Sequence, residues 1–355
     1  MPVRVGLIGY GFAGRTFHAP LIDATDEVTL AAIATSRADA VAAERPTTRV
    51  YTDGRGLLDD ASLELIVVAT PNDSHAQWAR AALEAGKHVV VEKPFALELA
   101  EARALTRLAA NRGRLLAVFH NRRWDSDFLT VQRAIAANRV GRIVHFESHM
   151  DRFRPAVRRR WREGDGPGAG IWYDLAPHLV DQALLLFGLP SRVTGLIARL
   201  RDGALADDWA HGILTYPDKR VIVHASMLAA GGVPRFVAHG TAGSFAKQDP
   251  DPQERQLLSG IRPGAPDWGR DPDPLVVWSG EGTVEREPAR AGDQREFYRA
   301  IASAVRAGTA NPTKPHEVLG VMAVIEAALR SSALGSSLPL ALDADELAAW
   351  RDHSV

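Results

Sequence analysis

The stretch Val3-Arg4-Val5-Gly6-Leu7-Ile8-Gly9-Tyr10-Gly11-Phe12-Ala13-Gly14 decides the fold. Its first six residues are a mostly apolar run that predicts a β-strand, and a helix is predicted over residues 12–24. G-x-G-x-x-G between a strand and a helix is the setting in which that motif binds a dinucleotide. Gly9 permits the tight turn, Gly11 lets the backbone approach a diphosphate, and Gly14 lets the helix pack close to the strand. Phe12 and Ala13 open the helix, whose free amides and partial positive charge face the phosphates.

A second strand over residues 28–34 runs into Thr35-Ser36-Arg37. An NAD enzyme would usually carry an acid there to bond the ribose 2′-hydroxyl. Hydroxyls and an arginine stand in its place, and an arginine can hold a 2′-phosphate through two parallel bonds. NADP is therefore the expected cofactor, and Asp39 keeps NAD open as a second one. The alternation continues with strands at 65–69, 88–91 and 115–119 and helices ending near 85 and 111. Strands alternating with helices give a doubly wound parallel sheet. Thr70, Pro71, Asn72, His75, Glu92 and Lys93 fall at C-terminal strand ends, and Asn121 follows the last strand; this edge binds ligands in such sheets. Lys93 stands out chemically. The chain has five lysines among 42 basic residues, and a desolvated lysine can release a proton where arginine cannot. Lys87 shows no comparable task.

The whole composition is that of an ordinary globular chain: 355 residues, 46% hydrophobic, 24% charged. A net charge of -1 argues against nucleic-acid binding. No run approaches the ~18 apolar residues of a membrane span. The chain holds no cysteine, which excludes disulfides, thiolate nucleophiles and Cys-ligated metals. Met1-Pro2 leads straight into a strand, so a cytoplasmic location is expected.

The glycine motif, Thr70-Pro71-Asn72-x-x-His75 and Glu92-Lys93-Pro94 together resemble the Gfo/Idh/MocA oxidoreductases. Asn121-Arg122-Arg123-Trp124-Asp125, Asp151-Arg152-Phe153-Arg154-Pro155 and His239-Gly240-Thr241-x-Gly243-Ser244-Phe245 are similar to a branch with NADP-dependent scyllo-inositol dehydrogenases. The expected fold is α/β: an N-terminal Rossmann domain over 1–121 and a C-terminal α+β domain over 122–355. The resemblance implies that the second domain carries a large open, mostly antiparallel sheet. It also implies a homodimer or homotetramer formed through that sheet, and C-terminal helices, 295–307 and 316–332, packed back on the first domain.

In the second domain a helix over 127–138 and strands over 141–152, 192–201, 210–216, 219–227 and 236–239 are expected. His145, Glu147, His149 and Asp151 alternate onto one strand face. Paired polar residues at a solvated or subunit face are the reading taken, and no metal is expected. A helix over 174–187 puts Asp174, His178 and Asp181 on one face. Taken alone, that pattern is better explained by a capping aspartate and a satisfied core histidine. The resemblance places Asp174 and His178 beside Lys93, facing the nicotinamide, as the catalytic set. Arg123, Trp124, Arg154, Trp161 and Trp172 are further candidates for substrate contact, since aromatic faces stack on sugars and arginines bond hydroxyls. The Pro-, Gly- and Asp-rich segment 248–274 is too long for a silent connection and is expected to cover the site or mediate subunit contact.

The expected reaction is hydride transfer between a secondary hydroxyl of a cyclic polyol or sugar and the nicotinamide. His178 would be the immediate base, with Lys93 polarising the oxygen, or the reverse. Asp174 would orient the substrate or the lysine. Reduction of another carbonyl or an imine is a second reading, and a catalytically silent NADP-binding sensor a third. Lys93, Asp174 and His178 argue against the sensor.

Overall fold

In the computed structural model, which describes residues 1–351, the glycine-motif strand is β1 (Val3–Ile8). It is joined by β2 (Val28–Ala34), β3 (Arg49–Tyr51), β4 (Leu65–Val68), β5 (His88–Val91) and β6 (Leu116–Val118). The six are parallel in the order β3-β2-β1-β4-β5-β6, the doubly wound order of a dinucleotide-binding sheet. β4 reads Leu-Ile-Val-Val and is buried throughout, because a parallel sheet is covered on both faces. One face carries a core of Leu7, Leu21, Ile22, Val67, Phe119, Phe297 and Tyr298. The last two come from the helix Arg295–Ala307, which packs on β1 and β2.

This sheet belongs to a unit made of Met1–Trp124, Gln253–Trp268 and Asp293–Val318. Part of the segment 248–274 is therefore core material rather than a cover. Trp268 is 6% exposed within the first hydrophobic cluster. Gln253 is fully buried, donating to the Trp124 carbonyl at 3.2 Å and accepting from Gln294 N at 2.8 Å.

The second unit comprises Asp125–Pro252, Gly269–Gly292 and, among the described residues, 319–351. Its strands are β7 (Ile143–Asp151), β8 (Arg192–Ala198), β9 (Trp209–Thr215), β10 (Arg220–Ser226), β11 (Phe236–Gly240), β12 (Gly243–Lys247), β13 (Leu275–Ser279) and β14 (Val284–Glu287). They form one sheet in the order β14-β13-β12-β11-β7-β10-β9-β8. Every neighbouring pair is antiparallel except β7 and β10, which run parallel. The strands β12 to β14 lie outside the strand-like runs expected from sequence. β14 is Val-Glu-Arg-Glu, exposed over its first three residues, and a charged edge strand carries no apolar alternation to read.

The helix Ile171–Phe187 covers one face of this sheet. It buries Trp172, Leu175, Leu179, Val180, Ala183 and Leu184, the leucines and the valine each contributing roughly 1.5–3 kcal/mol. β9 and β10 alternate buried with half-buried positions along most of their length, so their second face is only partly covered. The helix 127–138 expected from sequence is Ser126–Ala136, and Asn138 turns the chain with φ 53°. Of the two C-terminal helices, Arg295–Ala307 belongs to the first unit, whereas Pro315–Leu334 has only its first turn there.

Candidate active site

In the first unit the three glycines divide the labour expected of them. Gly9 has φ +96°, and a Cβ there would lie 2.4 Å from Ala69 O. A Cβ on Gly14 would lie 2.2 Å from Gly9 O, so the helix could not approach the turn with any larger residue. At Gly11 nothing stands within 4 Å of where a Cβ would be. Open space before Gly11, framed by two glycines the backbone itself requires, is the cradle a diphosphate needs. The helix that follows runs from Phe12 to Asp23, with a π-helical turn at Gly14–His18.

At the end of β2, Arg37 Nη2 donates to Tyr10 O at 2.7 Å, and Arg37 N donates to Thr35 Oγ1 at 3.3 Å. The guanidinium thus reaches over the glycine turn from an exposed position, beside exposed Ser36. No acidic residue occupies positions 35–37.

The turns after β4 and β5 are tied together. His75, 1% exposed, meets Pro94 O at 2.8 Å with Nδ1 and Thr70 O at 3.0 Å with Nε2. Ser74 Oγ donates to Pro71 O and pairs with the Thr70 hydroxyl, both at 2.8 Å. His75 thereby positions the two turns, a role the motif alone did not reveal. Asn72 is buried in the same turn. The Lys93–Pro94 bond is cis. Lys93 is partly exposed, and its backbone N–H donates to Glu92 Oε2 at 2.9 Å.

Glu92 anchors a buried chain of polar groups. Its Oε1 meets His18 Nε2 at 3.0 Å, and His18 Nδ1 meets the Tyr298 hydroxyl at 2.5 Å. The carboxylate only accepts, so His18 Nε2 donates to it and Nδ1 accepts from Tyr298. Burial pushes the Glu92 carboxyl up, but the His18 hydrogen bond and nearby positive charge outweigh that and hold it below the ordinary carboxylate range. Burial, helped by Glu92, pushes the Tyr298 phenol well up, so it stays a donor. Sequence reasoning missed both partners. His18 lay within the predicted helix, one turn past Gly14, whereas nothing in the sequence links position 298 to Glu92.

Two candidates near Asn121 are committed to structure. Arg123 Nη1 donates to Pro312 O at 2.7 Å and to Glu317 Oε2 at 2.8 Å, in place of the substrate contact expected. Trp124 packs edge-on against Phe297 at 5.9 Å, and its carbonyl accepts from Gln253 and Asp293. Asn121 is buried at the head of a short 3-10 turn.

In the second unit, Asp174 and His178 stand one turn apart on Ile171–Phe187, as their spacing requires. Asp207 caps that helix, accepting from Trp172 N at 2.7 Å. Asp174 lies 3.5 Å from Arg162 Nε and 3.7 Å from Arg152 Nη1. His178 and Asp181 are buried. Trp172 corrects an expectation: it is 1% exposed, with its indole N–H on Ile325 O at 3.2 Å. A side chain so enclosed packs the core and cannot stack on a sugar. Trp161 is 40% exposed, with the Arg162 guanidinium 4.5 Å over its ring. Arg154 is partly exposed; burial, and then Arg152, Arg158 and Arg160, lower its pKa from the ordinary value. Arg201 braces the strap after β7, holding Asp208 at 2.9 Å, Glu163 at 3.0 Å and Arg154 O at 3.0 Å.

Comparison with known proteins agrees with these features. The family model described as "Oxidoreductase family, NAD-binding Rossmann fold" matches residues 3–120. That described as "Oxidoreductase family, C-terminal alpha/beta domain" matches residues 132–341. The chain is 49% identical over 342 residues to the uncharacterized oxidoreductase YdgJ of Escherichia coli (strain K12), covering 96% of this chain and 99% of that one. It is 36% identical over 335 residues to the scyllo-inositol 2-dehydrogenase (NADP(+)) IolW of Bacillus subtilis (strain 168), covering 93% and 94%. A crystal structure from Klebsiella pneumoniae superposes with a TM-score of 0.93 at 50% identity, covering 99% of both chains. With both halves matched and relatives aligned end to end, the chain belongs to the Gfo/Idh/MocA family of oxidoreductases.

Proposed function

We propose that this chain is an NADP-preferring dehydrogenase acting on a secondary hydroxyl of a cyclic polyol or sugar, of the inositol or aldose class. The observation that carries the cofactor preference is Arg37, whose guanidinium reaches the carbonyl of Tyr10 in the glycine turn. It stands where an NAD enzyme would carry an acid. The substrate class rests on the likeness to the scyllo-inositol enzyme.

Gly9, Gly11, Gly14, Thr35, Ser36, Arg37, Thr70, Asn72 and Asn121 would hold the cofactor, with Glu92 and His75 setting the turns around it. When bound, the nicotinamide supplies the two-electron chemistry. His178 would take the proton from the substrate hydroxyl with Lys93 polarising its oxygen, or the reverse, and Asp174 would orient the substrate or the lysine. Arg154 and Trp161 are the remaining candidates for contact with the polyol. The protein acts in the cytoplasm, as a homodimer or homotetramer assembled through the open face of its eight-stranded sheet. Among the described residues no helix is long and apolar enough to cross a membrane.

The test is a spectrophotometric panel of inositols and aldoses with NADP or NAD. Reduced nicotinamide should appear with at least one polyol, and kcat/KM should favour NADP. Tight NADP binding without turnover on any member of the panel would overturn the dehydrogenase reading and leave a sensor.

A further inference from the structure

One face of the eight-stranded sheet is packed by the Ile171–Phe187 helix, where Phe146 of β7 meets Phe187 at 5.1 Å. The other face carries polar side chains that the proposed dehydrogenase chemistry does not use. His145, Glu147, His149 and Asp151 of β7 point there, alternating with buried Phe146 and Ser148. The parallel register sets His224 of β10 beside His149, and the antiparallel register sets His211 of β9 beside His224. Neighbouring strands lie about 4.8 Å apart, so the register gathers these rings into one group.

We propose that His149, Asp151 and His224 form a binding site for a divalent transition-metal ion of the zinc type. Their ligand atoms all lie within 4.8 Å of one another. His149 Nδ1 stands 3.7 Å from Asp151 Oδ2, and His224 Nε2 stands 3.6 Å from Asp151 Oδ1. Those distances are too long for hydrogen bonds. They are close to the separation of two ligands on one tetrahedral ion, roughly 3.3–3.4 Å for bonds of 2.0–2.1 Å.

A second observation points the same way. Asp151 Oδ1 and His149 Nδ1 are buried without hydrogen-bond partners, and the Asp151 side chain is only 7% exposed. Leaving such groups unpaired is unfavourable, and one cation would satisfy both. The surroundings are those of a metal centre. His149 Nε2 bonds Glu147 Oε2 at 2.7 Å, and Glu147 Oε1 is held in turn by His145 Nε2 at 2.6 Å. A carboxylate behind a ligating imidazole fixes its tautomer and aims the other nitrogen at the metal. His224 Nδ1 lies 3.3 Å from His211 Nδ1. With the proton on His224 Nδ1, its Nε2 turns a lone pair toward Asp151. Two imidazoles and one carboxylate suit zinc, cobalt, nickel or iron rather than calcium or magnesium, which seek all-oxygen sites. The ion would clasp β7 to β10 at the end of β7, one residue before Arg152, and so brace the strand that brings Arg152 to Asp174.

The competing occupant is a proton: His149 as an imidazolium held between the Glu147 and Asp151 carboxylates. The two accounts separate on metal titration of the tag-free full-length chain, stripped with chelator. Cobalt is followed by visible absorption and zinc by calorimetry. The expected result is one ion per chain with Kd on the order of 1 µM or tighter, and a raised thermal midpoint. His224→Ala should weaken binding by roughly 100-fold, and Glu147→Gln by about 10-fold, each with unchanged far-ultraviolet dichroism. His239→Ala, elsewhere on the same face, should bind as the parent does. The proposal fails if no saturable binding appears below about 1 mM, or if Glu147→Gln and His224→Ala both bind as the parent does.

Discussion

The C-terminal edge of the six-stranded sheet and the open face of the eight-stranded sheet are both rich in polar groups, and they are built by different means. At the edge, turns do the work. Gly9 to Gly14, Thr70 to Asn72 and Glu92 to Pro94 leave their strands in irregular backbone, locked by His75 between the Thr70 and Pro94 carbonyls. On the open face, regular strands do the work, and each side chain's place is set by the pleat and by register. Turns can open around something as large as a dinucleotide. A pleated face offers a fixed grid of about 4.8 Å between strands, which suits a single ion or the flat surface of another protein. The size of what each region can hold follows from which part of the strand supplies the side chains.

The sharpest way to break this comparison is Lys93→Arg. The charge stays, but the proton can no longer move. Turnover should fall by roughly 10²–10⁴-fold, while NADP binding, followed by nicotinamide fluorescence, stays as it was. A fully active Lys93→Arg enzyme would remove proton chemistry from the edge.

The next test is a pair. Gly14→Ala forces a Cβ to within 2.2 Å of the Gly9 carbonyl and should destabilise the protein by about 2–4 kcal/mol, read as a lowered thermal midpoint. Gly11→Ala meets nothing and should leave the midpoint alone while weakening NADP binding. If Gly11→Ala binds NADP as tightly as the parent, the diphosphate does not lie on this edge.

Acid should act through Glu92. Its carboxyl is held below the ordinary range when folded. The stability it contributes is therefore present above the ordinary carboxylate pKa and lost as pH falls through the folded value. The thermal midpoint should drop as the pH falls below the ordinary carboxylate range, and Glu92→Gln should lower it at neutral pH and flatten that acid limb. An unchanged limb would mean that other carboxylates govern acid unfolding.

The smallest effect is expected at Arg37. Arg37→Gln should reduce kcat/KM with NADP by about 10-fold, the loss of one charge-assisted contact, and leave NAD turnover unaltered. Equal losses with both cofactors would mean that Arg37 only shapes the glycine turn through Tyr10.

The edge was legible because each of its turns is contiguous in sequence. The open face was half legible: β7 displays its alternating His and acidic residues, but nothing in the sequence brings His211 and His224 to them, because register is a property of paired strands. Lys87 shows the limit of reading one residue by its rarity. It is buried, donating to Asp60 O at 2.8 Å and Leu63 O at 2.9 Å, so that lysine ties down a loop rather than doing chemistry. Trp172 shows the opposite error. Its aromatic face near the arginine run invited a substrate role, yet residues 172, 175, 176, 179, 180 and 183 repeat at helical spacing and are all buried, which marks a core stripe. Tyr298 was beyond reach, since its link to Glu92 runs through the packing of a distant helix.

The single parallel seam between β7 and β10 has a kinetic meaning. Antiparallel neighbours can zip up from a short hairpin, as β9 and β10 can across residues 216–219. β7 can meet β10 only after the chain from 152 to 219 has looped out, laid down Ile171–Phe187 and returned. Closing so long a loop is entropically unfavourable before its contacts form. That seam therefore carries a larger closure cost than the β9–β10 hairpin, and His149 and His224 become neighbours only when it shuts. A chromophoric ion bound there would time the closure of this seam during refolding, because the chain offers that pair of rings only once the seam is shut.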